Sequence, residues 1–178
     1  MHIILGFLGS VITILILLNR LAEAGIDLGG LNPFLWHRRR KWQKKIQGDP
    51  IYHIDSPLEL TALLITATAK ADGDMSSEEK KAILRLFQTE FNMAKREAAG
   101  LLISSAYLLG NGQSLKDNLS KVMSPSLIKF TEEQAGSTAK MLKDICDIDI
   151  EGNELKMEFI AQIKQVFQKQ FQAPGKWT

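Results

Sequence analysis

The feature that most constrains this chain is an acidic turn set between two apolar-periodic segments, Ala71-Asp72-Gly73-Asp74-Met75-Ser76-Ser77-Glu78-Glu79. Gly73 supplies a permissive backbone, and Ser76 with Glu79 three residues on is a capping box, the side-chain signature of a helix start. A weaker echo stands at Cys146-Asp147-Ile148-Asp149-Ile150-Glu151-Gly152-Asn153-Glu154. Setting Asp72 against Asp147 pairs Leu60 with Ala135, Leu64 with Ala139, Ala67 with Leu142, Ala71 with Cys146, Asp74 with Asp149 and Glu79 with Glu154. Adding one residue after the turn brings Ile83 over Phe159, Phe87 over Ile163 and Phe91 over Phe167. The pattern predicts two helix–acidic turn–helix units packed as a pseudo-symmetric pair.

The segments around these turns are helical by their punctuation. Ser56-Pro57-Leu58-Glu59 is a capping box with Pro at the first helical position, and Leu60, Leu63, Leu64, Ala67 and Ala71 follow on one face. The helix opened at Ser76 carries Ile83, Leu84, Phe87 and Phe91 and ends at Asn92 or Met93. A third is expected from Ala94 to Leu109, closed by Gly110-Asn111-Gly112, and a short fourth over Ser114–Met123, broken by Ser124-Pro125. Thr131-Glu132-Glu133-Gln134 opens a further helix through Ala135, Ala139, Leu142 and Ile145. The last runs through Leu155, Phe159, Ile160, Ile163, Val166 and Phe167. No segment sustains strand alternation, so the expected fold is all-α, a bundle of five to seven helices over residues 56–172.

Ahead of that body, His2–Leu18 carries no formal charge apart from that of His2. As a helix it spans about 26 Å, enough to cross a membrane once its flanks snorkel, so residues 2–20 are expected to form one transmembrane helix. The rival is a cleaved signal peptide, with Ala22-Glu23-Ala24 as its small-residue site, but no positive region precedes the run. Residues 21–55 form a basic juxtamembrane linker. In it Trp36 and Trp42 suit the headgroup region, while Arg38, Arg39, Arg40, Lys41, Lys44 and Lys45 suit anionic lipid at about 1 kcal/mol each. Cations after the span favour a cytoplasmic C-terminal side, which places the chain in an inner membrane as a single-pass protein.

Charge narrows the function. The net charge of +2 is uneven: residues 1–55 hold seven Lys/Arg against four acids, and the body holds 15 against 16. The body is therefore not a nucleic-acid binder by charge. A single cysteine, Cys146, excludes an internal disulfide framework, and its apolar setting suits a buried structural thiol. His2, His37 and His53 lie outside the body or at its edge, so neither a His-based nucleophile nor a zinc site can be assembled within it. Gly110-Asn111-Gly112 lacks the Lys/Ser tail of a phosphate loop. A non-enzymatic role follows, with an unidentified protein as partner beside the lipid.

The first unit resembles the tellurite-resistance TerB-like family. The residues that carry the resemblance are Ala-Lys-Ala-Asp-Gly-Asp-Met-Ser-Ser-Glu-Glu at 69–79, after a small-residue helix and before an apolar one, and it extends over residues 56–170. A membrane span ahead of such a domain is also similar to the N-terminal part of DjlA-type membrane co-chaperones, but this chain has no His-Pro-Asp tripeptide and no room for a J-domain. The resemblance implies an all-α fold, an acidic metal site at Asp72, Asp74 and Glu79, and work as a membrane-associated interaction or stress- and envelope-response component. The second unit has Ile148 where the motif has Gly.

Clustered carboxylates on a turn suit Ca²⁺ or another divalent cation, because their oxygens replace the ion's hydration shell. The first turn departs from the EF-hand template, with Ser77 at position six and Ile83 at position twelve. The second comes closer, with Asp147, Asp149, Glu151, Gly152 and Glu158 at positions 1, 3, 5, 6 and 12, but with Glu154 at the normally apolar position eight. The competing account of both turns is helix capping, in which the same oxygens accept bonds from free N–H groups and favour the positive end of the helix dipole. The alternative function is thus a Ca²⁺- or metal-binding regulator using residues 72–79 and 147–158.

Overall fold

The computed structural model describes residues 11–14, 16, 17, 20, 49–148 and 153–172. Between 49 and 172 the described residues form one 3-10 turn, Pro50–His53, and seven α-helices. These are α1 (Pro57–Ala69), α2 (Ser77–Glu90), α3 (Lys95–Leu109), α4 (Gln113–Asp117), α5 (Leu119–Leu127), α6 (Glu132–Cys146) and α7 (Asn153–Gln172). No strand occurs among them, and the fold is all-α as expected.

The caps set the helix starts. Ser56 Oγ accepts from the Glu59 N–H ahead of α1. At α2 the box is complete, with Glu79 N–H donating to Ser76 Oγ at 3.2 Å and Ser76 N–H to Glu79 Oε2 at 2.8 Å. Thr131 and Gln134 make the same reciprocal pair at α6, at 3.1 and 3.0 Å. Gly110, with φ +56, ends α3, and Gly112, with φ +79, turns the chain into α4, both in the left-handed region that a side chain disfavours.

The body is organised around α1, which touches α2, α3, α5, α6 and α7. One apolar face was expected; instead every residue from Leu60 to Ala69 is buried. The three threonines there are tolerated because each satisfies its own hydroxyl. Thr66 and Thr68 donate to the carbonyls of Ala62 and Leu64 at 2.8 and 2.9 Å. Thr138 on α6 gives its proton to the Gln134 carbonyl at 2.8 Å, so across the α1–α6 interface Thr61 donates to Thr138 Oγ1, 3.0 Å away. On α3, Ala98, Ala99 and Gly100 are buried, small residues that let it lie close to α1.

Two expectations shift. The break placed at Ser124-Pro125 falls instead at Asn118, between α4 and α5, and Pro125 sits inside α5. Pro125 has no N–H for the Lys121 carbonyl, and the Ser124 hydroxyl donates to that oxygen instead, at 3.0 Å. On α7, Leu155 is 55% exposed and Lys156 takes its place on the buried stripe with Phe159, Ile160, Ile163 and Phe167.

Of the expected membrane helix at 2–20, residues 11–14, 16, 17 and 20 are described and helical. Val11, Ile12, Ile14, Ile16 and Leu17 are exposed, and none of them belongs to the core cluster. Among the described residues no helix is long and apolar enough to cross a membrane. The basic linker residues Trp36, Arg38, Arg39, Arg40, Lys41, Trp42, Lys44 and Lys45 lie outside the described residues.

Candidate functional site

The first acidic turn closes on a cation supplied by the chain itself. Lys156, from the first turns of α7, is 0% exposed, and its Nζ lies 2.8 Å from Glu79 Oε1 and 3.0 Å from Asp72 Oδ2. Glu79 is 1% exposed and serves twice, since its second oxygen holds the Ser76 N–H of the capping box. The Asp72 side chain is 22% exposed and reaches the ammonium from the rim. Burial disfavours the charged ammonium, but the hydrogen bonds from Lys156 to Glu79 and Asp72 outweigh that, and its pKa is held above the ordinary lysine value. The helix start fixes the Glu79 rotamer, and Glu79 in turn docks the second helix–turn–helix unit onto the first.

Cys146 lies at the corner of the same junction. It is buried and donates from Sγ to Asn153 Oδ1, tying the end of α6 to the start of α7. Burial pushes its thiol pKa up, the Asp147 carboxylate adds to that, and Lys156 offsets part of it. The group is therefore a protonated structural thiol at neutral pH.

Asp72 and Glu79 are thus brought together, with Lys156 between them. Asp74, on the same turn, is exposed and makes no ion pair among the described residues. Asp147 and Glu158 are exposed, and Asp149 and Glu151 lie outside the described residues. Among the described residues no group of three or more His, Cys, Asp or Glu side chains is placed to hold a metal ion. A divalent ion seeking the oxygens of Asp72 and Glu79 would have to displace a buried ammonium. The outer side of the turn forms one wall of a cavity of about 430 Å³, with Lys70, Asp72 and Asp74 facing Asn111 and Lys116 and with Phe159 among its lining. Lys116 Nζ spans toward the turn and donates to the Ala71 carbonyl at 3.5 Å.

Lys156 is the residue that sequence reasoning missed. The signal was its register, three and four residues before Phe159 and Ile160 and seven before Ile163, on the stripe that the core takes up. A lysine in that register needs a buried counter-charge, and the only acids embedded in an apolar-periodic junction of the first unit are those of the turn.

The repeat pairing agrees with burial at most of its core positions. Leu60 and Ala135, Ala67 and Leu142, Ala71 and Cys146, Ile83 and Phe159, and Phe87 and Ile163 are all buried. It fails at the charges: Glu79 is buried and its counterpart Glu154 is exposed. Compared with protein-family models, curated proteins and solved structures, the chain matches none.

Proposed function

We propose that this chain is a membrane-anchored, non-enzymatic, TerB-like helical module that acts as an interaction component in a stress or envelope response on the cytoplasmic face. The observation that carries the reading is the engagement of the acidic turn by Lys156. It makes the motif a rigid joint between two helical hairpins, which suits a scaffold for partners. The stress and envelope role follows from the TerB-like residues 69–79, and the orientation from the basic linker after the apolar run. The anchor is supported by the exposed Val11, Ile12, Ile14, Ile16 and Leu17, an apolar helical surface that water does not favour.

The test has two parts. The full chain should resist alkaline carbonate extraction from membranes, and a chain lacking residues 1–20 should be released; release of both removes the anchor. Cross-linking in intact membranes, followed by detergent capture, should then retain a defined protein partner whose yield falls in the truncated chain. Recovery of the same partner at equal yield from the released chain would remove the requirement for tethering.

The alternative reading, a Ca²⁺-dependent regulator, would use Asp74 and the exposed edge of Asp72 at the 430 Å³ cavity. Calorimetry on the full chain separates the two, because heat on adding millimolar Ca²⁺ that is lost in Asp74→Asn would support the regulator.

A further inference from the structure

The 3-10 turn Pro50–His53 is where the chain enters the body after the basic linker, and it is clamped onto α5. Ile51 and Ile54 are buried, and Ser126 Oγ donates to the Ile54 carbonyl at 2.6 Å. Lys121 Nζ lies 4.7 Å from the centroid of the Tyr52 ring, and Lys129 pairs with Asp55 at 2.9 Å. The chain is therefore fixed to the body from the turn onward.

Ile128, at the C-terminal end of α5, stands beside this clamp and is 82% exposed, whereas the next most exposed large hydrophobic residue of the body, Leu155, is at 55%. Between Asn118 and Thr131 the chain has two lysines, Lys121 and Lys129, and no acid. The acids on the turn are engaged: Asp49 accepts from the Ile51 N–H at 3.2 Å, and Asp55 is held by Lys129. An apolar side chain between two long cationic ones is a surface that suits a lipid interface, where the stems lie along apolar groups and the ammoniums meet anionic headgroups.

The length of the tether decides what this face meets. Lys45, the last cation of the linker, is four residues before Asp49, a reach of about 14 Å at most. A body of the size of residues 49–172 is roughly 35 Å across. With the linker cations at the headgroups, so short a tether cannot pass around the body and turn its far side to the lipid. We propose, on the basis of the anchored reading above, that the face formed by the 3-10 turn and α5 docks on an anionic bilayer, with Ile128 seated in the headgroup region between Lys121 and Lys129. Leu155 has the same chemistry in the wrong place. Phe130 and Phe167, with ring centroids 5.1 Å apart, set the end of α5 against the later turns of α7, and Leu155 lies twelve residues before Phe167, about 18 Å along that helix.

Nitroxide labels at Ile128→Cys and Leu155→Cys, in the full chain reconstituted into phosphatidylcholine–phosphatidylglycerol vesicles, test the docking. The wild-type chain, whose Cys146 is buried, is the labelling blank. The label at position 128 should lose most of its collisions with an aqueous nickel chelate while keeping those with oxygen, and the label at position 155 should keep both. Flotation of the chain with the vesicles is read on the same samples. A chain that floats but meets the chelate equally at both positions would overturn the docking face and leave the anchor standing. Loss of oxygen collisions as well at position 128 would overturn it in favour of a protein cover. A chain that does not float with the vesicles would remove both the docking face and the anchor.

Discussion

Lys156 Nζ and Glu79 Oε1 are 2.8 Å apart across 77 residues of sequence, and both side chains are sealed from solvent. Removing one partner from such a pair leaves the other charge buried alone, which costs about 3–5 kcal/mol. Lys156→Met keeps the apolar stem and removes the charge, so a loss of about that size is expected in urea unfolding. Adding Glu79→Gln, which retains an acceptor for the Ser76 N–H, should recover part of the loss. Strict additivity of the two single variants would show that the pair is not coupled.

The two aspartates of the turn should separate cleanly. Asp72 accepts from Lys156 at 3.0 Å, whereas Asp74 is exposed and unpaired among the described residues. Asp72→Asn should cost about 1–2 kcal/mol, the lower part of the range for a bond to a charged group because the side chain is partly solvated. Asp74→Asn should stay within about 0.5 kcal/mol. Equal effects in thermal unfolding would contradict the assignment of Lys156 to Asp72.

The ammonium also sets an alkaline limit. Its pKa in the folded chain lies above the ordinary value of 10.5, so the folded state binds that proton more tightly than the unfolded one. The stabilisation is complete below pH 10.5 and is lost as pH rises through the folded-state value. The wild-type urea midpoint should therefore fall toward that of Lys156→Met above that pH. A gap between the two that stays constant through the alkaline range would refute the linkage.

How much of this was legible in the sequence depends on whether the information was local. Ser56, Ser76 and Thr131 announce helix starts because a cap and its N–H lie three residues apart, and the structure places α1, α2 and α6 where they predict. The position of Pro125 was misread because Ser124 supplies a donor to the Lys121 carbonyl that Pro125 cannot, and proline alone does not show the rescue. The all-round burial of α1 was hidden by its threonines, which look polar until their hydroxyls fold back onto the helix. The Lys156–Glu79 contact was the least legible, since nothing within a turn of either residue names its partner. The acidic cluster suggests an external divalent cation, whereas the structure places the chain's own ammonium, that of Lys156, between Asp72 and Glu79.

The thiol of Cys146 gives a probe of that same junction. Burial first, and the neighbouring Asp147 charge second, hold it protonated, and its proton is committed to Asn153. Alkylation by a neutral thiol reagent at pH 7.5 should therefore be slow in the native chain and should accelerate in urea with the unfolding transition. Lys156→Met loosens the α7 side of the corner, so native-state labelling should quicken as local opening becomes easier. Fast labelling of the wild-type chain in the absence of denaturant would remove the burial argument.

The last prediction turns the internal cation into an assay for an external one. With Lys156 in place, its ammonium already occupies the space between Asp72 and Glu79, and millimolar Ca²⁺ should leave the wild-type unfolding midpoint almost unmoved. In Lys156→Met, Asp72 and Glu79 face a space that an ammonium has vacated, and their oxygens are the hard ligands that Ca²⁺ accepts. Binding to the native state alone stabilises by RT ln(1 + [L]/Kd), about 2.7 kcal/mol at a hundredfold excess over Kd. Ca²⁺ should therefore rescue the variant selectively, and Glu79→Gln in the same background should abolish the rescue. A wild-type chain stabilised by Ca²⁺ as strongly as the variant would mean that the ion binds elsewhere, with Asp74 the first residue to test.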